Sequence, residues 1–440
     1  MAQNQKDFRD RAARRELYIG ENIRAYFTGK SGEPIAGEVV SLSEGGLGFL
    51  CDPRFASELE VNDHYQMKIY YDARSHFTTS VSIRNKSQFT SQGVTYLRVG
   101  VAVFVDEVET TETKLENLVV LSKNGAGFIE IDNPMFFDDK RYFRIRGVHP
   151  RGMVLEPMDN RHFLLPNQNV VARFTLPGLK PFDQELIIKR SLPKQGRWLE
   201  NLLIVDFFEP SDKLLMRIAK YILILEPDIT VKKLQENGFP IPFLDFILHV
   251  EFAQKGIPDE DRAALRPSVI APHSSSRTAA LKQARTVTFW RKNVLIASLK
   301  LNFCRNVHEN SALNHLGAYN HQLNRRAVVE LLEFYHHPDY PLPSIIVPVL
   351  QHCILTSIQA KFAFLAVECT PQTEPLFNRL GFTSLPRTVA DDDDRKFVAL
   401  GISNGLYNMT NGIHRDTWER VYKRLYSFLS RKFPHTKNVG

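Results

Sequence analysis

Between residues 22 and 120 the chain is written in short runs that alternate apolar and polar residues: "NIRAYFTG", "IAGEVVSL", "LGFLCD", "YQMKIYYDA", "FTTSVSIRNK" and "TYLRVGVAVF". Each has the length of a strand, is rich in β-branched and aromatic residues, and is bounded by Gly, Asp, Asn or Ser. Runs of this kind at this spacing predict a small antiparallel barrel, and residues 111–123 predict a helix that closes it.

A second series repeats the order of arginines, strands and a helix. It runs from "KRYFRIRGVHPRGMVLEP" through "FLLPNQNVVARFTLPG", "QELIIKRSL" and "RWLENLLIVDFF" to "DKLLMRIAKYILILEP", whose apolar residues recur every three to four positions. After Pro227 the pattern changes. "IPFLDFILHVEFAQKG" predicts a helix and residues 270–284 contain a polar linker, after which strands alternate with helices through "RAVVELLEFYHH", "LPSIIVPVLQHCILTSIQA", "KFAFLAVEC" and "TEPLFNRLG". The expected fold is multidomain α+β, with two small antiparallel barrels over 1–123 and 124–228 and an α/β domain over 229–440. A chain of 440 residues fits such a division, since about 100 to 200 residues make one domain.

The longest apolar stretches are interrupted or fall short of the roughly 20 residues that span a bilayer. The N-terminus lacks the apolar core of a signal peptide, so the expected location is cytoplasmic, with no transmembrane segment. Cys51, Cys304, Cys353 and Cys369 are scattered and show no metal-ligand spacing, which predicts buried thiols and no metal site. A net charge of +7 favours anionic partners without naming one, and no nucleic-acid motif accompanies it.

The most informative pair of stretches is "RDRAARRELY", with Arg9, Arg11, Arg14 and Arg15, and "SLSEGG", with Ser41, Ser43, Gly45 and Gly46. A guanidinium can donate in a fork to guanine O6 and N7, stack on the base, or pair with phosphate. A turn of small hydroxyl residues and glycines can aim donors at a ligand without obstruction. On these residues the first segment resembles the PilZ domain, a bacterial receptor for cyclic di-GMP, whose pattern is R-x-x-x-R followed by [D/N]-x-S-x-x-G. Arg11 and Arg15 match the first part, with Arg14 as a further guanidinium or an alternative register, and Ser43 and Gly46 match the second. Ser41 stands where the family usually carries Asp or Asn. "GGLGF" and "LRVGVAVF" extend the likeness. The resemblance implies that Arg11, Arg14, Arg15, Ser41, Ser43 and Gly46 bind cyclic di-GMP, and that ligand orders the arginine arm. The second barrel has Arg141, Arg144 and Arg146 at its start and "EPMDNRHF" after a strand. It resembles a degenerate PilZ domain with a packing or partner role.

Residues 285–385, with "AVVELLEFYHHPDY" and "PLFNRLGF", resemble the GNAT acyltransferases, within them the acyl-homoserine-lactone and N-acyl amino acid synthases. This likeness implies acyl carrier protein or acyl-coenzyme A as thioester donor, with Ser344 and the first helical amides of "YPLPSIIV" as a phosphate site that has no glycine loop. It also implies a functional carboxylate at Glu330. Glu333, three residues on, is the second candidate and is expected on the opposite face. The synthases usually carry Arg at the position of Glu333, and Phe377 lies near the tyrosine acid of many acetyltransferases. His336, His337 and Asp339 are read as a structural entry to a loop, and Cys369, next to Glu368, as buried filling. Three functions stay open: a cyclic di-GMP receptor coupled to a GNAT-like output, an N-acyltransferase under nucleotide control, and an adaptor whose GNAT-like domain only binds a protein partner.

Overall fold

The computed structural model describes residues 14–17, 22–71, 75–104, 118–122, 127–136, 138–159, 162–194, 197–242, 244, 248–253, 257–267, 283–305, 328–362, 364–385 and 396–401. They fall into two compact units, Met1–Glu226 with Leu234–Pro240, and Pro227–Lys233 with Ile241–Gly440. The described chain is mostly β, with few helices.

The first unit holds two seven-stranded sheets. The first consists of β1 (Arg14–Glu16), β2 (Arg24–Thr28), β3 (Pro34–Ser43), β4 (Gly46–Cys51), β5 (His64–Tyr70), β6 (His76–Ser91) and β7 (Val94–Phe104). Their order is β1-β3-β2-β5-β6-β7-β4, and a further β3–β4 pairing closes six of them into a ring. Period-two burial makes this possible: Ala25, Phe27, Ile35, Met67, Ile69, Phe49, Val81 and Val99 point inward into one buried cluster. At about 1.5–3 kcal/mol for each large apolar side chain removed from water, this cluster outweighs any single polar contact on the ring. β6 and β7 meet in a two-residue turn at Gln92 and Gly93, both with positive φ (49° and 77°), the mirror-image turn that suits twisted strands.

The second sheet consists of β8 (Val119–Val120), β9 (Phe128–Asp132), β10 (Lys140–His149), β11 (Gly152–Pro157), β12 (Asn169–Thr175), β13 (Phe182–Lys194) and β14 (Arg197–Phe207). Its order, β11-β14-β13-β12-β9-β10-β8 with a β11–β10 closure, repeats the first sheet strand for strand. The helix Asp212–Leu225 follows, started by Ser211, whose hydroxyl accepts the Leu214 N–H, and by Asp212 in the first turn, where the helix dipole favours a carboxylate. Leu214, Ile218, Tyr221 and Ile222 form its buried stripe. The expected closing helix over 111–123 lies largely outside the described residues, and Val119–Val120 within it is a strand paired with Gly147 and Val148 of the second sheet.

The two rings share a core. The turn after β9 carries Met135 into the buried cluster of the first ring, and Leu165 joins it there. His162 is fully buried; its backbone N–H donates to Glu44 Oε1 at 3.4 Å, and its Nδ1 accepts the Leu164 N–H at 3.1 Å.

The second unit is an eight-stranded sheet of β15 (His249–Ala253), β16 (Arg266–Pro267), β17 (Arg285–Arg291), β18 (Val294–Cys304), β19 (Val328–His336), β20 (Phe364–Cys369), β21 (Thr383–Leu385) and β22 (Lys396–Gly401). All pairings are antiparallel except β19–β20, which the helix Leu342–Gln359 connects. Within the segment expected as a helix, residues 249–253 instead form a strand. "HVEFA" places Val250 and Phe252 two apart, the period of a strand, and pairs with β17. The long helix tolerates Pro348 because the Ser344 carbonyl, which would have accepted a Pro348 N–H, accepts the Leu244 N–H at 3.0 Å instead. By length and composition this helix is apolar enough to cross a membrane, yet 61% of it is buried. It packs as a core element.

Two groups give measurable consequences. Arg291, 3% exposed, donates through Nη1 to the Ile229 carbonyl at 2.6 Å, the Pro227 carbonyl at 3.3 Å and the Tyr340 hydroxyl at 2.8 Å. Arg291→Leu strands these acceptors and is expected to destabilise the second unit by about 3 kcal/mol, given about 1–3 kcal/mol per unsatisfied buried group. Denaturant unfolding followed by tryptophan fluorescence, in a Trp198→Phe and Trp418→Phe background that leaves Trp290 as the reporter, measures it; a loss below about 1 kcal/mol would mean that water replaces the guanidinium.

Burial, and secondarily the positive charge of Arg141, pushes the His162 pKa down from 6.5 to about 3. The unfolded chain therefore takes up a proton that the folded chain refuses as pH falls between those values. Stability should decline through that window with a component of about 1.4 kcal/mol per pH unit. Comparing the pH dependence of unfolding in wild type and His162→Gln isolates it; identical slopes would contradict the neutral buried imidazole.

Candidate functional site

β1 is a three-residue strand with one partner, the end of β3. Arg14 lies opposite Ser43, Arg15 opposite Leu42 and Glu16 opposite Ser41, and the pairing continues with the Leu17 N–H donating to Val40 O at 2.8 Å. The arginine stretch and the Ser/Gly turn are thus neighbours at the rim of the first ring, although more than twenty residues separate them in the chain.

The turn is tightly built. The Ser43 hydroxyl donates to Gly46 O at 3.0 Å. Gly46 begins β4 opposite Ala102, and a Cβ there would stand 2.1 Å from the Val101 carbonyl, so only glycine lets β4 approach β7 this closely. Ser41 is 1% exposed and its Oγ has no hydrogen-bond partner among the described residues. A Cβ on Gly48 would lie 2.6 Å from that oxygen, so Gly48 keeps the space beside Ser41 open.

Arg15 is half-buried, with its guanidinium carbon 3.8 Å from the centre of the Phe136 ring. Among the described residues it makes no ion pair and no hydrogen bond, whereas Arg98 lies against Glu16 at 3.6 Å. Arg15 therefore keeps its N–H edge uncommitted. Arg11 lies outside the described residues; Arg14 is placed by its backbone alone.

The repeated topology identifies the matching positions in the second ring. There His149 pairs with Gly152 as Ser43 pairs with Gly46, and Gly147 pairs with Val120 as Ser41 pairs with Glu16. The counterpart of "SLSEGG" is thus "GVHPRG" at 147–152, not "EPMDNRHF", which follows the next strand. The counterparts of Arg14 and Arg15 are Leu118 and Val119, not Arg141, Arg144 or Arg146. Gly152 keeps the close approach of Gly46, its Cβ position 2.1 Å from Val205 O, while Leu118 packs over Gly147. Arg141 and Arg146 form ion pairs with Asp139 and Glu156. The ring's geometry is retained, while Leu118, Val119, Gly147 and His149 stand where the first ring has Arg14, Arg15, Ser41 and Ser43.

In the second unit, β19 and β20 stay paired only as far as Leu331 and Val367, while β19 runs on to His336. At the same point the register with β18 passes from Leu301–Leu331 to Leu299–Phe334, leaving one extra residue on β19. This bulge interrupts the alternation between Glu330 and Glu333. Glu330 is 1% exposed and accepts from Asn302 Nδ2 at 3.4 Å. Glu333 pairs with Lys300 at 2.9 Å and lines a cavity of about 210 Å³ together with Arg262, Thr286, Ser298 and Tyr335. It also borders an apolar crevice between Leu331, Phe334, Ile346, Leu350 and Phe377.

Ser344 is fully buried, and its hydroxyl donates to Pro341 O at 2.7 Å, which commits it to the helix start. The His337 ring accepts the Asp339 N–H at 3.2 Å and His336 Nδ1 lies 3.1 Å from His337 O, so both imidazoles hold the loop after β19. Burial raises Cys51 and Cys353 to about 12 and Cys369 to about 11, which leaves these thiols un-ionised. Phe136, Gly48, Lys300 and Arg262 were not legible as site residues, because each reaches its site only through packing or register.

No protein-family model matches the chain, and no curated protein matches it. Among solved structures it is similar to the PilZ domain with c-di-GMP of YcgR from Escherichia coli, at 16% identity over 24% of this chain and 85% of that one, with a TM-score of 0.21. It is similar to the PlzA protein of Borreliella burgdorferi in complex with c-di-GMP, at 12% identity over 47% and 91%, TM-score 0.18. It is also similar to FeeM, an N-acyl amino acid synthase from uncultured soil microbes, at 14% identity over 36% and 93%, TM-score 0.28. Identities and TM-scores this low carry no argument about activity.

Proposed function

We propose that this protein is a cyclic di-GMP receptor in which the first, PilZ-like ring binds the dinucleotide and the second unit is a GNAT-like output. The observation that carries the reading is the β1–β3 pairing, which brings Arg14 and Arg15 alongside Ser41–Ser43, with the Arg15 guanidinium edge uncommitted among the described residues. Arg15 donates to a guanine edge or a phosphate, Arg11 and Arg14 add charge from the same arm, and the turn receives the ligand. The second ring, degenerate at its rim, binds no nucleotide of its own. Calorimetric titration of cyclic di-GMP into the full chain is expected to give saturable heat. Arg15→Ala should weaken binding by at least tenfold, since a hydrogen bond to a charged group contributes about 1.5–3 kcal/mol. Folded wild type that gives no heat would refute the reading.

A second reading, N-acyl transfer by the last unit under nucleotide control, is favoured by one observation: Glu333 stands between a polar cavity and an apolar crevice where β19 and β20 part. In that reading an acceptor amine attacks an acyl carrier protein or acyl-coenzyme A thioester. The N–C bond forms, the C–S bond breaks, the amine proton passes to Glu333 and the thiolate leaves. Glu330, held by Asn302, acts as a positioning residue on the same strand. Mass spectrometry of the full chain with acyl carrier protein thioesters and a panel of amines should show an N-acyl product that Glu333→Gln reduces at least a hundredfold, the lower range for a general base. No product with or without cyclic di-GMP would favour an adaptor whose GNAT-like unit only binds a protein.

A further inference from the structure

Each half of the rim site is held by a residue of the second ring. The arginine strand is held through Arg15, whose guanidinium lies over Phe136, and the Ser/Gly turn is held through Glu44, which accepts the backbone N–H of His162 at 3.4 Å. Glu44 sits inside "SLSEGG" and is 2% exposed, so this contact is part of the turn's interior.

The support beneath Phe136 is firm. Asn133 Oδ1 accepts the Met135 N–H at 3.1 Å, and Asn133 Nδ2 donates to Asp139 Oδ2 at 3.3 Å and to His162 O at 3.4 Å. The Phe136 N–H then closes onto Asn133 O at 3.1 Å. Met135, one residue before, is plugged into the buried cluster of the first ring with Leu42, Leu47 and Val101, residues of the very strands that form the rim. The turn 133–136 therefore belongs to the second ring by sequence and to the first by packing, and it presents Phe136 at a fixed place.

A guanidinium stacked on a ring uses its face and leaves its in-plane N–H donors unspent. An arginine side chain free in solvent would have to surrender its rotamer freedom on meeting a ligand; one already laid on a ring has surrendered it beforehand. We propose that Phe136 is a positioning residue of the nucleotide site. The second ring, whose own rim carries Leu118, Val119, Gly147 and His149 in place of Arg14, Arg15, Ser41 and Ser43, serves as the wall that holds Arg15 in its binding pose. The inference rests on reading the rim as the cyclic di-GMP site, and it gives the degenerate ring a part in recognition.

The test is a calorimetric titration of cyclic di-GMP into full-length wild type, Phe136→Leu, Phe136→Tyr, Arg15→Ala and the Arg15→Ala/Phe136→Leu double variant, each checked for unchanged secondary structure by circular dichroism. Leucine keeps an apolar side chain of similar bulk but has no ring face, so Phe136→Leu should bind about five- to tenfold more weakly, within the range of a partly desolvated cation–π contact. Phe136→Tyr should stay within about twofold of wild type. In the Arg15→Ala background the Phe136→Leu change should have little further effect, because the residue acts through Arg15. Wild-type affinity in Phe136→Leu, tighter binding by it, or additive losses in the double variant would each overturn the proposal while leaving the rim as the site. Absence of heat from wild type would overturn the reading of the rim, and the proposal with it.

Discussion

Everything assigned to the first ring depends on one short backbone contact, the antiparallel pairing of Arg14–Glu16 with Ser41–Ser43. Three residues of strand are a weak element by themselves, and among the described strands β1 pairs only with the end of β3. Their value is positional. A strand pairing fixes positions to within a residue, so it sets Arg14 and Arg15, distant in sequence, alongside the end of β3. Without that pairing the arginines are solvated surface charge. The pairing is secured just past the site, where Leu17 is buried and its N–H binds Val40 O.

The second ring shows which parts of this arrangement are architecture and which are chemistry. Strand order and closure are the same in both rings. So is the glycine that opens the fourth strand, Gly46 in one and Gly152 in the other, each with a carbonyl oxygen 2.1 Å from where a Cβ would be. Glycine here answers a demand of ring closure, present whether or not a ligand is. The residues at matching positions differ: Arg14, Arg15, Ser41 and Ser43 stand against Leu118, Val119, Gly147 and His149. The buried Ser41 hydroxyl with no partner among the described residues costs stability. At the matching position of the second ring Gly147 has no hydroxyl and avoids that cost.

Much of this could be read from the chain. Short apolar runs bounded by turn residues located β2 to β7 and β10 to β14, because a ring with one apolar interior sets that pattern on most of its strands, whereas β9 (Phe128–Asp132) was not expected. The stripe of Leu214, Ile218 and Ile222 located the helix Asp212–Leu225 in the same way. Where sequence reading failed, the deciding contact was not local. Val119–Val120 is too short to announce itself as a strand, and was absorbed into an expected helix. Residues 249–253 form a strand because β17 offers an edge to pair with. The counterpart of "SLSEGG" is "GVHPRG" and not the later "EPMDNRHF", and since the two stretches share only the closing glycine, the strand pairings alone align them. Phe136 carries no signal as a site residue, because its target lies in the other ring.

The same distinction bears on the second unit. Counting along an ideal strand puts Glu330 and Glu333 on opposite faces, and the resemblance to acyltransferases favoured Glu330. The bulge between Leu331 and Phe334 breaks the count at the place where the pairing of β19 with β20 ends. A bulge there both opens the sheet and re-aims one side chain, and the side chain it re-aims is Glu333, which reaches the cavity with Lys300 beside it. Glu330 stays in the sheet with Asn302, sealed from that space. If the unit performs proton transfer, access to a substrate amine decides between two carboxylates of the same strand, and access belongs to Glu333.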